Sequence, residues 1–269
     1  MTERIRLDVY LTEQKLFESR EKARAAVMAG QVFVNGQKAM KPGDTVKPTD
    51  RVEARGGAEF VSRGGHKLKK AVQVFSLSLE NKICMDIGAS TGGFTDCMLQ
   101  NGAEKVYAVD VGYGQLAWKL RSDERVVNLE RTNIRYLTRE QVPEPLDFAS
   151  VDVAFISLKL VLPVAYAFLA PDGECVCLVK PQFEAGREKV GKKGVVRDIL
   201  THVEVLRDTV AFALETGFAV RGLDYSPIKG PEGNIEYLLY LAKGAVENVP
   251  VSPEDVAKAS HEALDRSNP

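Results

Sequence analysis

The sequence predicts an α/β fold: a seven-stranded, mainly parallel sheet with a reversed last strand, preceded by a small α+β domain. Three observations predict it. From about residue 83, apolar strand-like runs alternate with helical stretches, the rhythm of a parallel sheet covered on both faces. The connection between the last two strand-like runs, roughly Ser226 to Gly233, is too short for a crossover helix, so the last strand must run antiparallel. Residues 1–55 follow a different pattern of two short helices and hairpin strands, and a glycine-rich stretch separates them from the rest.

In residues 4–14 (RIRLDVYLTEQ), Ile5, Val9 and Leu11 fall at roughly helical spacing. Ser19 reads as an N-cap, with Glu21 in the first turn, for a helix that runs to about Met28 and ends at Gly30. Ala23, Ala26 and Val27 form its inward face. Short strands follow in QVFVNGQKAMKPGDTVKPTDRVEA, where Asn35-Gly36 supplies a tight hairpin turn and Pro42-Gly43-Asp44 another. Arg20, Lys22 and Arg24 open the second helix beside Arg4 and Arg6. Clustered arginines at a helix N-terminus suit phosphate oxygens. The charge balance agrees: through Lys70 there are 15 Lys and Arg against 9 Asp and Glu, and the remainder carries 21 against 28. A basic front beside an acidic body faces a polyanion.

Residues 54–65 (ARGGAEFVSRGG) contain four glycines and no regular period, which places a domain boundary near Gly57. The predicted organisation is a first domain over 1–57, a linker over 58–65, a large domain over 66–244 and a tail over 245–269. A helix from Ser62 buries Leu68, Ala71, Val72 and Phe75, with Lys67 off that stripe. Strands are expected near 83–87, 105–110, 125–130, 150–156, 174–179, 218–225 and 235–242. Helices are expected near 92–101, 114–121, 157–169 and 198–216. The 184–198 segment carries Arg187, Lys189, Lys192, Lys193 and Arg197, and reads either as a clamp on RNA phosphates or as a solvated loop. The tail, with Pro250 and Pro253 and then a short amphipathic pattern, reads as a frayed terminus.

Several classes drop out. No run approaches the roughly 18 apolar residues of a membrane-spanning helix, so no stable membrane insertion is expected. The charged start MTERIRLDVY lacks the apolar core of a secretion signal. Cys84, Cys97, Cys175 and Cys177 have no histidine at metal-ligand spacing, which reads as reduced thiols, no metal and a cytoplasmic location.

The first turn of the large domain runs Asp86-Ile87-Gly88-Ala89-Ser90-Thr91-Gly92-Gly93-Phe94-Thr95. Its G-x-x-x-G-G spacing departs from the G-x-G-x-x-G of dinucleotide binders, as fits a ligand without a pyrophosphate. Asp86 is placed to face a methionyl ammonium, and Asp110, ending the next strand, to accept ribose hydroxyls. Asn133 and Ile134 are candidates for the adenine edge. A Rossmann-like seven-stranded sheet with a reversed last strand is the architecture of most methyltransferases that use S-adenosyl-L-methionine, the expected cofactor. A nicotinamide dehydrogenase is the competing reading; the wording of this turn and the absence of a second catalytic domain disfavour it.

Methyl transfer to a ribose hydroxyl requires alignment and a group that loosens the hydroxyl proton. A lysine held by carboxylates can accept that proton or stabilise the developing alkoxide. Lys180 ends the fifth strand, Asp152 lies in the fourth, and Glu236 starts the reversed last strand, so all three reach one rim of the sheet. Lys67 can close the group from another side.

The N-terminal stretch SREKARAAVMAGQVFVNGQ resembles the RNA-binding domain named after ribosomal protein S-four, which implies structured RNA as partner and Arg4, Arg6, Arg20, Lys22 and Arg24 as its contacts. SRGGHKL, DIGASTGGFTD, AVDVGYGQL, VDVAFISL, LVKPQFE and GNIEYLLYL resemble the FtsJ-type ribose methyltransferases, whose Lys-Asp-Lys-Glu tetrad falls on Lys67, Asp152, Lys180 and Glu236. Over about residues 4–243 the chain is similar to the TlyA family, which methylates cytidine ribose in ribosomal RNA. The resemblance implies that Lys180 deprotonates or polarises the 2'-hydroxyl with the other three in support. It implies cofactor contacts from Asp86, Gly88, Ser90, Thr91, Gly92, Gly93, Phe94, Asp110 and Asn133, and ribosomal RNA or a ribosomal subunit as partner. The oligomeric state is not legible. Members are often labelled haemolysins, an activity this composition does not support. A pseudouridine synthase, a non-catalytic RNA binder and a membrane-lytic protein are the rival readings.

Overall fold

The computed structural model describes residues 4–17, 19–54 and 59–265. The chain divides into two units, Met1–Glu59 and Phe60–Pro269. Gly57 and Ala58, where the boundary and the start of the linker are expected, lie outside the described residues.

In the first unit, β1 (Ile5–Arg6) leads into α1 (Leu7–Glu13) and α2 (Arg20–Met28). There follow β2 (Val32–Val34), β3 (Gln37–Lys38), β4 (Thr45–Val46) and β5 (Val52–Ala54). β1 pairs with β4, and β3, β2 and β5 form a three-stranded antiparallel sheet. The Ser19 side chain accepts from the Lys22 N–H as the expected N-cap of α2. Asn35 and Gly36, both at positive φ (51° and 79°), make the turn between β2 and β3. The inward face of α1 differs from the expected one. Leu7 and Leu11, one helical turn apart, are buried, whereas Ile5 lies in β1 and Val9 is only partly buried. Leu7, Leu11, Ala23, Ala26, Val27, Val32, Ala39 and Val46 form one small core.

The second unit begins with α3 (Gly65–Val74) and β6 (Ile83–Ile87), followed by α4 (Gly93–Gln100), β7 (Lys105–Val109), α5 (Trp118–Arg121) and β8 (Val126–Leu129). Next come β9 (Leu146–Val151), α6 (Leu162–Phe168), β10 (Leu169–Val179), α7 (Pro181–Glu184) and α8 (Ile199–Thr216). The last elements are β11 (Ala219–Tyr225), β12 (Tyr237–Ala242) and α9 (Pro253–Asp265). The seven strands lie in the order β11-β12-β10-β9-β6-β7-β8; β12 is antiparallel to both neighbours, and the other observed pairings are parallel.

Alternation along the strands builds two cores. Met85 and Ile87, Tyr107 and Val109, Cys175, Cys177 and Val179 face α6, α8 and α9. Cys84, Val106 and Ala108, Phe148, Val176 and Leu178 face α3 and α4. The result is a three-layer α/β/α unit whose strands are buried on both sides, as a parallel sheet requires.

Four expectations need correction. α3 begins at Gly65 rather than Ser62, and its Lys67, expected off the apolar stripe, is buried, one helical turn from buried Ala71. β9 covers 146–151, so Asp152 sits one residue beyond the strand, where the chain leaves the sheet and Phe155 takes a positive φ of 63°. The helix expected over 114–121 is a single turn, Trp118–Arg121. The tail is also not frayed: α9 buries Ala257 and Ser260, and the Ser260 hydroxyl bonds to the Tyr237 hydroxyl at 3.0 Å. The last residues of the tail, 266–269, lie outside the described residues.

Candidate active site

In an open parallel sheet, ligands sit beyond the carboxyl ends of the strands. Here Asp152 follows β9, Lys180 follows β10, and Lys67 projects from the first turn of α3. Because β12 runs the opposite way, its preceding residue Glu236 reaches the same rim. Lys67 Nζ donates to Glu236 Oε2 at 2.5 Å and lies 3.7 Å from Asp152 Oδ2. Lys180 Nζ lies 2.5 Å from Asp152 Oδ1. Asp152 thus bridges two amines. Glu236 is 1% exposed, Lys67 7% and Lys180 9%, so these charges are held in a largely dry setting. Burial by itself pulls the Lys67 pKa down, but Asp152 and Glu236 outweigh it and the net shift is upward. Lys67 therefore keeps its proton.

Backbone packing fixes the arrangement. The Asp152 N–H donates to the Ile87 carbonyl at 2.9 Å, continuing the β6–β9 ladder past its end. Gly88 has φ +88°, and a Cβ there would come within 2.5 Å of the Asp152 carbonyl oxygen. Only glycine allows that approach.

Three cavities meet at this cluster. One of about 780 Å³ is lined by Gly88, Ser90, Asp110, Asn133, Ile134 and Asp152. A second, of about 260 Å³, contains Lys67, Asp86, Thr91, Gly93, Phe94, Asp152, Lys180 and Glu236 on its wall. The third, about 880 Å³, is lined by Phe155, Lys180, Phe183, Asn234 and Glu236, among others. The first two share Gly88, Ser90 and Asp152; the last two share Lys180, Pro231 and Glu236. The first and third also share Ala154, Phe155, Ile156 and Ser157, so ligands in these two cavities would approach each other along that segment, beside the charged cluster that walls the small cavity.

The candidate ligand-binding residues differ in what they offer. Asp110 accepts from the Ser90 N–H at 2.8 Å and the Gly112 N–H at 2.6 Å, which orients its carboxylate and leaves lone pairs toward the cavity. Asn133 caps the short helical turn after it by accepting from the Arg135 N–H at 3.1 Å. Asp86 is fully buried and accepts from the Thr95 N–H and hydroxyl and from the Ser150 hydroxyl. Burial, with the nearby Asp152 charge, pushes its pKa up to about 7 against those hydrogen bonds. Gly92, a candidate ligand contact, lines none of the three cavities, because its α-carbon faces Leu116 and Leu120.

In the first unit Arg4, Arg6, Arg20, Lys22 and Arg24 are all exposed. Arg6 and Arg20 share a partner: Arg6 Nε and Arg20 Nη2 reach the two oxygens of buried Asp8 at 3.1 and 3.0 Å. The Arg6 hydrogen bond, joined by Arg20, pulls the Asp8 pKa down to about 2 against its burial.

Sequence reasoning missed Asp8, Phe155, Asn234 and the loop residues Ser62 and Gly64, which line the small cavity. Asn234 carried a usable signal. It stands two residues before Glu236, and extended backbone puts such residues on one side. The 184–198 segment, left open between clamp and solvated loop, is pinned: Val195 and Val196 are buried, and Lys189 pairs with Glu204 at 2.5 Å.

Residues 60–243 match the FtsJ-like methyltransferase family, and residues 5–52 match the S4 domain. YqxC of Bacillus subtilis (strain 168), named as a candidate rRNA methyltransferase, is 54% identical over 88% of this chain and 85% of its own. The 16S/23S rRNA (cytidine-2'-O)-methyltransferase TlyA of Mycobacterium tuberculosis (strain ATCC 25618 / H37Rv) is 44% identical over 90% of this chain and 91% of its own. A solved structure of a candidate hemolysin from Streptococcus thermophilus superposes with a TM-score of 0.75 at 48% identity, covering 99% of both chains.

Proposed function

Because this chain belongs to the FtsJ-like methyltransferase family, we propose that it transfers a methyl group from S-adenosyl-L-methionine to the ribose 2'-hydroxyl of a cytidine in ribosomal RNA. The observation that carries this reading is the meeting of Lys67, Asp152, Lys180 and Glu236 where the three cavities join. A non-catalytic RNA binder has no need of two buried amines and two carboxylates facing a cavity, since buried charge is costly to maintain.

The residues present fit the cofactor. The 780 Å³ cavity lies within the range of small-molecule sites, about 300–1,000 Å³, and the glycine at position 88 opens the cradle beside Asp152. Asp110 would accept the ribose hydroxyls, Asn133 and Ile134 would border the base, and Asp86 with Thr91, Gly93 and Phe94 would border the methionyl end. When bound, the cofactor supplies an electrophilic methyl group.

The chain's own residues do the rest. The target ribose enters from the 880 Å³ cavity, and its 2'-hydroxyl meets Lys180, which deprotonates or polarises it. Asp152 holds the Lys180 amine in place and, through Lys67, couples it to Glu236. Lys67, kept protonated by its two carboxylates, is a fixed positive charge that offsets them and adds to alkoxide stabilisation. Preorganised charge of this kind needs no reorientation as the reaction proceeds.

Arg4, Arg6, Arg20, Lys22 and Arg24 of the S4 domain would grip RNA phosphates, and the site of action would be the cytoplasm. Among the described residues no helix is long and apolar enough to cross a membrane, so direct membrane lysis has no structural support of that kind. The test is incubation of ribosomal RNA with methyl-labelled cofactor, digestion to nucleosides and chromatography. Label in 2'-O-methylcytidine is the expected result; label on a base, or none, overturns the reading.

A further inference from the structure

The wall of the 880 Å³ cavity beside the charged cluster includes Gly194, the tight turn at the tip of the basic 184–198 segment. That turn closes on itself through the Gly194 N–H to the Gly191 carbonyl at 2.8 Å and the Gly191 N–H to the Val195 carbonyl at 3.1 Å. Two backbone bonds alone do not hold a surface loop in one place.

Asn234 supplies the missing anchor. It is 3% exposed and lines the same cavity. Its side-chain amide donates to the Gly194 carbonyl at 2.9 Å, and its side-chain oxygen accepts from the Val196 N–H at 3.0 Å. One carboxamide thus pairs with the turn as a neighbouring strand would. Its own backbone is held by the Gly230 N–H, which donates to the Asn234 carbonyl at 2.9 Å.

The carbonyl of Val196 is also taken. It lies 3.0 Å from Nε2 of buried His202, whose Nδ1 lies 2.6 Å from the Tyr237 hydroxyl. Asn234 and Tyr237 flank Glu236 in sequence. The turn is therefore tied to both sides of a member of the charged cluster.

We propose that Asn234 is a positioning residue, which locks the Gly191–Val196 turn into the wall of the substrate cavity. Exposed Lys192 and Lys193 at its tip then meet RNA already in place. This rests on the RNA methyltransferase reading above. Preorganisation of this sort lowers the ordering cost of binding and acts on RNA affinity before it acts on the chemical step.

The experiment is steady-state methyl transfer to ribosomal RNA by the full-length chain, with Asn234→Ala and Asn234→Asp beside the parent. Amide hydrogen exchange at Val196 is followed in parallel. Asn234→Ala is expected to raise the KM for RNA about tenfold, more than it lowers kcat, and to speed Val196 exchange, while cofactor affinity by calorimetry stays at the parent value. Asn234→Asp keeps the acceptor for the Val196 N–H and should show a smaller KM rise. A merely structural asparagine would instead reduce the active fraction and leave KM alone. An unchanged KM in both variants, or a raised KM with Val196 protection intact, overturns the positioning role. A parent protein that transfers no methyl group to RNA overturns the reading beneath it, and the proposal with it.

Discussion

At the scale of single residues, the site is a matter of charge placement. Glu236 is almost fully buried and pairs with Lys67, so removing that amine would strand a carboxylate, a change that typically costs roughly 3–5 kcal/mol. Asp86 carries a different burden. Its burial, helped by the Asp152 charge, lifts its pKa from 3.8 to about 7, and the Thr95 and Ser150 hydrogen bonds only partly oppose this. A carboxyl whose folded-state pKa is raised favours the protonated fold. Its stabilising contribution is full below about pH 4 and is lost as pH rises through about 7. The stability of Asp86→Asn relative to the parent should therefore improve as pH increases from about 5 to about 8, as read by urea unfolding of the ligand-free protein. A difference that does not move with pH would show the carboxylate ionised throughout that range.

At the scale of elements, α2 shows how one short helix can combine a packed face with the face proposed to bind RNA. Ala23, Ala26 and Val27 face the core, while Arg20, Lys22 and Arg24 project outward from its capped start. Arg20 and Arg6 both lean on buried Asp8, so changing either would also disturb the fold of this unit. Reversing the charge of Lys22 and Arg24 leaves that trio in place, which makes these two the cleaner probes of RNA binding. Lys22→Glu with Arg24→Glu is expected to weaken RNA binding. It should also flatten the dependence of log affinity on log salt by about 0.7–0.9 for each phosphate that is no longer neutralised. Equal affinity and an equal slope would remove this face of α2 from the RNA interface. The helix itself was legible because its cap, its terminal glycine and its inward alanines are local features. Asp8 was not: a carboxylate in an apolar position makes sense only once Arg6 and Arg20 close over it. α9 was hidden for a similar reason. Its amphipathic pattern is short, and only the docked helix shows which face it buries: Ala257 in the core and the Ser260 hydroxyl on that of Tyr237.

At the scale of the whole molecule, the order of strands creates the site. Reversal of β12 brings Glu236 to the rim where β9 and β10 end, and this was readable from a connection too short for a helix. The burial of Lys67 was not readable, since its partner lies 169 residues away and no sequence period links them. The same limit applies to Asn234 and the turn it holds, about forty residues apart. Sequence patterns report local periodicity and strand order, whereas the wiring of the pocket depends on loops meeting across the rim. At the centre of that wiring is Lys180, set against Asp152 and proposed to act on the ribose hydroxyl. Single-turnover methyl transfer by Lys180→Ala at saturating cofactor and RNA tests this role most directly. The expected rate is lower by about 10²–10⁴-fold with cofactor affinity nearly intact; a rate equal to the parent's would contradict it.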